Sequence, residues 1–139
     1  MLCIRAEQMD VFRAEREAAL AVELATYLRK AQGAEILHLP QGDQRLDALP
    51  EEQLRALVRG GLARARAYGL QSAANGYAFV TLMFVVAPNF DVQPNIQKVL
   101  KDPALWDEYR IDWLWYRTKE SDWEEAVKSY DPKAWQPVV

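Results

Sequence analysis

The sequence predicts an all-α fold: a compact single-domain bundle of about five to six helices around a buried apolar helix over residues 76–87. Residues 5–32 contain neither Gly nor Pro and are rich in Ala, Glu, Arg and Leu, the strongest helix formers. A second stretch, from Tyr77 to Ala87, is apolar except for Thr81, which is typical of a helix covered on several sides. The length of 139 residues, half of them hydrophobic, suits one domain, 1–139, with a substantial core.

The first half of the chain is punctuated by Gly and Pro. Gly33 ends the predicted helix over residues 5–32, on which Met9 and Phe12 begin an inward-facing apolar stripe. Residues 33–49 are expected to form a loop fixed to the core by residues 36–39; a short strand there has no visible partner. The second helix follows Pro50 and ends at Gly69. Gly60-Gly61 interrupts it, which indicates close packing against another helix.

The predicted central helix, residues 76–87, is capped by Ser72 or Asn75 and ends at Pro88. Its β-branched and aromatic residues make a strand the main alternative. Helix is preferred, because the flanking segments are helical and no partner strand is visible. A short helix over residues 95–101 follows.

The last part of the chain is expected to form two more helices. Asp102-Pro103 has the pattern of an N-cap followed by a first-turn proline, which predicts a helix over residues 103–118. Its expected inward residues are Leu105, Trp106, Tyr109, Trp113 and Tyr116. Ser121 and Glu124 match a capping box at the start of a final helix that reaches about Tyr130, before an irregular tail.

Composition excludes several functional classes. A net charge of −3 and a pI near 5.2 argue against general nucleic-acid binding, which calls for a basic excess. One Cys and one His exclude a disulfide framework and the usual zinc clusters, and Cys3 is expected to be an inert thiol. We find no secretory signal, and the longest apolar run, 11 residues, is too short to cross a membrane. The expected location is the cytoplasm.

No arrangement of residues that could catalyse a reaction is visible. The chain has no nucleophile elbow, no phosphate-binding loop and no calcium loop. Asp107, Glu108 and Asp112 are expected to be solvated surface carboxylates instead of an acid–base pair. We therefore expect a protein that is not an enzyme, with no catalytic residues, no cofactor and no metal.

Two surface features are more informative. Arg55, Arg59 and Arg66 share one face of the second helix, with Arg64 nearby, and form a candidate secondary basic face. The second feature is that the two halves of the chain differ in charge and in tryptophan content. Residues 70–139 carry seven basic and ten acidic side chains, whereas residues 1–69 carry ten of each. All five tryptophans lie within residues 106–139, which we treat as a Trp-rich acidic, partner-specific segment.

This segment supplies the candidate partner-binding site. Its members are Trp106, Asp107, Glu108, Asp112, Trp115, Glu120, Asp122, Trp123, Glu124 and Glu125. Trp113 and Trp115 point about 200° apart on a helix, so that one of them faces away from the core. Exposed Trp beside acids is typical of a protein-binding surface. The alternative is that a second helix or the tail covers Trp115.

Several blocks of the sequence resemble a known family. They are Ile4-Arg5-Ala6-Glu7-Gln8-Met9 with Phe12, Leu57-Val58-Arg59-Gly60-Gly61-Leu62 leading into Tyr68-Gly69-Leu70, and Leu82-Met83-Phe84-Val85 before Asn89-Phe90-Asp91. In this order they resemble small helical proteins of Gram-negative bacteria that are encoded among type VI secretion genes, beside spike-tip proteins and toxic effectors. The resemblance covers roughly residues 2–105. The family has Gly where this chain has Pro88.

The resemblance implies a cytoplasmic accessory to a secreted toxin, which binds a protein partner encoded nearby. The first hypothesis is an immunity protein that neutralises the effector. The alternative within the same system is an adaptor or co-chaperone that loads the effector. Two other classes stay open: a small carboxylate-based enzyme and a homo-oligomeric structural protein. The oligomeric state itself is not predicted.

Overall fold

A computed structural model describes residues 6–135, with side chains for residues 15–135. The chain order of its α-helices is α1 (Ala6–Ala31), α2 (Glu51–Ala67), α3 (Ala73–Val85), α4 (Pro94–Leu100), α5 (Arg110–Arg117) and α6 (Glu120–Lys128). Strands β1 (Ile36–Leu39) and β2 (Gly42–Arg45) form one antiparallel hairpin between α1 and α2. Four 3-10 turns complete the described chain: Leu46–Ala48, Phe90–Val92, Asp107–Tyr109 and Pro132–Trp135. The predicted all-α bundle is confirmed.

The long N-terminal helix lies close to where the sequence places it. It runs over Ala6–Ala31 and buries Leu24 and Leu28 completely. Tyr27, which fits the same apolar stripe, is about half exposed and meets Tyr77 edge-to-face with ring centroids 6.4 Å apart. The predictions for Cys3, Met9, Phe12 and the tail after Trp135 lie outside the described side chains.

Helices α2 and α3 pack closely because small residues lie between them. A Cβ atom on Gly61 would stand 2.9 Å from Cγ2 of Val80, and one on Gly76 would stand 3.0 Å from Cδ2 of Leu62. Gly60 differs from its neighbour, since a Cβ there would meet nothing within 4 Å. The predicted close packing is therefore correct for Gly61 and wrong for Gly60. The predicted interruption is also wrong, because α2 continues through both glycines.

Helix α3 is the central element, and it is helix and not strand. It begins at Ala73 and ends at Val85, so the predicted range of 76–87 lies about two to three residues too late. Ser72 is the cap: its hydroxyl oxygen accepts a hydrogen bond from Asn75 N at 3.1 Å. Among the described residues, no helix combines the length and the apolar character that a membrane span requires.

The predicted loop over residues 33–49 is wrong in its middle, where the hairpin lies. Leu37 and Leu39 point into the core from β1, while their partners in β2 are Gln44 and Gly42. Because β2 is short and polar, it lacks the alternation by which a strand is recognised in a sequence. Gly42, at φ +131°, provides the turn conformation that glycine adopts most easily.

The predicted helix over residues 103–118 is also wrong in its first half. Asp102 accepts a hydrogen bond from Ala104 N at 2.9 Å, which closes a turn, and α5 begins only at Arg110. The start of α6 is two residues earlier than the predicted capping box. Lys119 is its N-cap residue, and the Lys119 N–H donates to Oδ2 of Asp122 at 2.8 Å. Asp122, and not Glu124, is therefore the acidic residue of this helix start.

Candidate protein-binding site

A set of large aromatic side chains lies exposed on α5 and on the turn before it. We call this set the aromatic surface: Trp106, Tyr109, Trp113, Trp115 and Tyr116. Trp106 is 74% exposed, Trp115 56% and Tyr116 81%. Single exposed apolar residues are common on proteins, but neighbouring exposed aromatics usually mark an interaction site.

The aromatic surface exists because α5 is anchored by aliphatic residues. Ile111 and Leu114 are the residues of α5 that are buried. The predicted inward stripe is therefore wrong for Trp106, Tyr109, Trp113 and Tyr116, and correct only for Leu105. The spacing of three and four among the aromatics resembles a core stripe, but Ile111 and Leu114 also have a helical spacing of three and take that role.

Trp115 is held in place by a ladder of stacked rings. Its ring stacks on Trp123 with centroids 5.4 Å apart, and Trp123 in turn stacks on the fully buried Phe90 at 6.1 Å. Nε1 of Trp123 donates to the Thr118 hydroxyl at 2.9 Å. An anchored indole loses little conformational entropy when a partner covers it.

On the side of α5 that carries Trp113, the exposed ring is fixed by contacts with a second aromatic residue and with an arginine. Trp113 meets Tyr116 edge-to-face at 5.9 Å, and the guanidinium of Arg117 lies 5.0 Å from the centre of the Trp113 ring. Arg117 also pairs with Asp102, Nη1 to Oδ2 at 2.8 Å. Trp113 and Trp115 are both exposed, although the roughly 200° between them on the helix required only one of them to face away from the core.

Most of the predicted acidic site residues lie on the solvent side. The exposed ones are Glu108, Asp112, Glu120, Glu124 and Glu125. Asp107 is half-buried, and its Oδ2 accepts from Gln71 N at 3.2 Å, which joins the turn to the start of α3. The acidic side chains that remain in solvent would attract a basic partner and lose that attraction in salt.

Asp122 is a structural residue, in contrast to the exposed acids around it. It is buried, and its carboxylate accepts hydrogen bonds from Lys119 N, Asn95 Nδ2 and Gln93 Nε2. The hydrogen bond from the Lys119 backbone is the largest cause that lowers the pKa of this carboxyl, followed by the one from Asn95. Asp122 therefore holds α6 against α4.

The predicted basic face of α2 is largely neutralised by neighbours. Arg55 Nε lies 2.9 Å from Glu51 Oε1, and Arg66 Nε lies 2.8 Å from Glu17 Oε1. Arg59 is exposed and forms no ion pair with another described side chain. Because two of its three charges are paired, this face is a weaker candidate than the aromatic surface.

The structure also contains a groove that sequence reasoning missed. It has a volume of about 1160 Å³ and runs along the outer side of α2. Asp91 lines it and is only 1% exposed; its Oδ2 lies 2.8 Å from Arg64 Nε and 2.8 Å from Tyr68 Oη. Burial raises the pKa of Tyr68 to about 12. Blocks of the resemblance fall in its lining, among them Gly60, Tyr68, Met83 and Asp91, but the sequence did not show that they meet.

The described residues offer no obvious place for a metal ion. Within residues 15–135, no three His, Cys, Asp or Glu side chains are grouped as metal ligands. No protein-family model matches this chain, and neither a curated protein nor a solved structure is detectably similar to it.

Proposed function

We propose that this chain is a non-enzymatic binding protein that captures a partner protein on its aromatic surface. The observation that carries this proposal is the exposure of Trp106, Trp115 and Tyr116 on one short segment of a folded bundle. Trp and Tyr dominate the energy of protein interfaces, since they bury a large area with few rotatable bonds. The exposed acids Asp112 and Glu108 favour a partner with a basic surface.

The resemblance identifies the partner class to be tested first. It suggests an effector toxin of a type VI secretion system, encoded near this chain, which this protein would neutralise in the cytoplasm as an immunity protein. An adaptor that loads the effector is the alternative. Both roles need a preformed binding face, and the stacked pair Trp115–Trp123 supports such a face.

Two other classes are less well supported. A carboxylate-based enzyme would need an acid that is free to exchange a proton. Asp91 is buried in a groove, but one of its oxygens is paired with Arg64 and Tyr68. A homo-oligomer that pairs its aromatic surface with a second copy would bring like charges together, because Glu108 and Asp112 lie on that surface in each copy.

Co-expression with the product of the adjacent gene tests the proposal. The tagged chain should retain that product, and Trp115→Ala should weaken the complex by about 2 kcal/mol, or roughly thirtyfold. Tyr27→Ala is the matched control, since Tyr27 is a half-exposed aromatic residue on α1. The proposal is wrong if neighbouring gene products fail to bind, or if both variants weaken the complex equally.

A toxicity assay separates the two roles. Cells that produce the effector should survive when the wild-type chain is present and die with Trp115→Ala if the role is immunity. Binding without rescue would favour the loading adaptor instead. In either case the affinity should fall as salt increases, because the acids of the aromatic surface are exposed.

A further inference from the structure

The outer side of α2 carries small residues where a surface helix normally carries long polar ones. Ala56, Gly60, Ala63 and Ala67 are all exposed, and all four line the groove. They are separated by four, three and four positions, which places them within about 60° of each other around the helix. This spacing is that of a helix–helix seam, and small side chains allow a second helix to approach closely.

The groove is lined by positive charges that the protein itself does not neutralise. Lys101, Arg110 and Lys133 line it, and none of them forms an ion pair with a described carboxylate. Asp131 and the Arg64–Asp91 ion pair also line it, so that four cationic side chains face two acidic ones. Arg110 donates instead to the backbone carbonyls of Leu100 and Leu105 at 3.2 Å, which fixes its guanidinium without cancelling its charge. The net charge of the whole chain is −3, so this cationic lining is a local feature.

Two buried polar atoms on the same groove also lack partners. Oδ1 of Asp91 is inaccessible to solvent and accepts no hydrogen bond from the described residues, although the residue is 99% buried. Nε of Arg110 donates to none of them. Buried polar atoms are nearly always satisfied, and exceptions need an explanation. Because both atoms are inaccessible, a bound side chain would reach them only if the groove wall moved, and of the two only the Arg110 Nε–H could bond a carboxylate.

We propose that the groove binds an acidic amphipathic helix from a partner protein, with the small residues of α2 as the seam. The stretch from Ala56 to Ala67 is about 16 Å long, which corresponds to three turns of the bound helix. Glutamates or aspartates beside its apolar stripe would face Lys101, Arg110 and Lys133. This is the helix-in-groove mode of recognition, and the site is separate from the aromatic surface.

Charge and shape favour this occupant over two others. A second copy that offered its own α2 would bring two cationic linings together, because Lys101, Arg110 and Lys133 line the groove along that helix in each copy. The second alternative occupant is the chain's own residues 136–139, which follow the groove residue Trp135. Their side chains carry no charge that could pair with the cations of the groove. An acidic amphipathic helix from another protein supplies the complementary sign without bringing two copies of α2 together.

Fluorescence anisotropy with a designed peptide tests the inference on the full chain. The probe is a labelled helical peptide of about 18 residues with leucines at the seam positions and glutamates elsewhere; its control has lysines for glutamates. We expect saturable binding of the acidic peptide only. The double variant Gly60→Gln/Ala63→Gln should weaken it by at least about tenfold, because both substitutions obstruct the seam.

Further measurements make the outcome decisive. The double variant should melt at or slightly above the wild-type temperature, because both positions are exposed and glutamine favours a helix more than Gly60 does. Trp115→Ala should bind the peptide normally, which separates this site from the aromatic surface. Equal binding of the lysine peptide, or undiminished binding by the double variant, overturns the inference. The inference is also wrong if light scattering shows a dimer that the double variant abolishes. It is wrong as well if a chain shortened after Trp135 binds the peptide more tightly.

Discussion

The Cβ position of Gly61 lies 2.9 Å from Cγ2 of Val80, closer than a real side chain can approach. Val80 is β-branched and fully buried, so it cannot move aside without disturbing α3. Gly61→Ala should therefore lower the free energy of unfolding by about 1–3 kcal/mol, the usual cost of overpacking. Urea denaturation followed by circular dichroism measures this change.

The neighbouring glycine provides the matched control. A Cβ on Gly60 meets nothing within 4 Å, and α2 is helical there. Gly60→Ala should raise the free energy of unfolding by about 0.5–1 kcal/mol, because alanine loses less conformational entropy in a helix than glycine does. Equal effects of the two substitutions would contradict the packing of α2 on α3.

The ion pair between Arg64 and Asp91 should be important for stability. Asp91 is 1% exposed, so Arg64→Met leaves a buried carboxylate without its cation. We expect the free energy of unfolding to fall by about 3–5 kcal/mol. Arg66→Met removes an exposed pair with Glu17 and should cost less than about 1 kcal/mol. Similar losses for both variants, measured in urea, would show that Asp91 does not depend on Arg64.

Alkaline pH should destabilise the fold through Tyr68. Burial raises its pKa to about 12 from 10.0, so the folded state favours the protonated phenol. This contribution to stability is fully present below pH 10 and is lost as the pH rises towards 12. In Tyr68→Phe the free energy of unfolding should depend less on pH across this window. An unchanged pH profile in the variant, measured by urea denaturation, would exclude Tyr68 as the cause.

The tryptophans should separate into structural and exposed residues. Trp135 is 6% exposed and packs on Phe84 with ring centroids 4.8 Å apart, so Trp135→Ala should cost about 3–5 kcal/mol. Trp115→Ala removes one stacked pair and should cost at most about 1.5 kcal/mol. Thermal melts of the two variants measure the difference. A larger loss for Trp115 would place it in the core and argue against the aromatic surface.

The helices that the sequence predicts well are those with strong local signals. Gly33 follows α1, Glu51 opens α2 after Pro50, and Ser72 caps α3, and these signals come close to the observed ends. These helix ends are determined by local chemistry, since capping and dipole effects act within one turn. The hairpin could not be predicted in this way, because β2 is polar and β1 is held partly by Tyr130, far along the chain.

The candidate site was predictable only in part. Clustering of Trp and acids made residues 106–125 the candidate site, in which Trp106 and Trp115 are exposed whereas Asp122 is buried. Periodicity could not distinguish the aromatic stripe of α5 from the aliphatic pair Ile111 and Leu114, because both fit a helix. The groove depends on residues brought together from distant segments, such as Arg64 and Asp91, and no local pattern reveals that proximity.

Tyr130 joins the hairpin to the last described turn of the chain, and this has a consequence during synthesis. Its hydroxyl accepts hydrogen bonds from the backbone N–H of His38, 92 positions earlier, and from Nε1 of Trp135 at 2.8 Å. At about 5–20 residues per second, a ribosome needs several seconds to make the intervening chain. Throughout that time the nascent hairpin lacks its C-terminal partner, and one wall of the groove does not exist. Translation that stops before Trp135 therefore yields a molecule whose groove lacks the lining that Trp135 supplies.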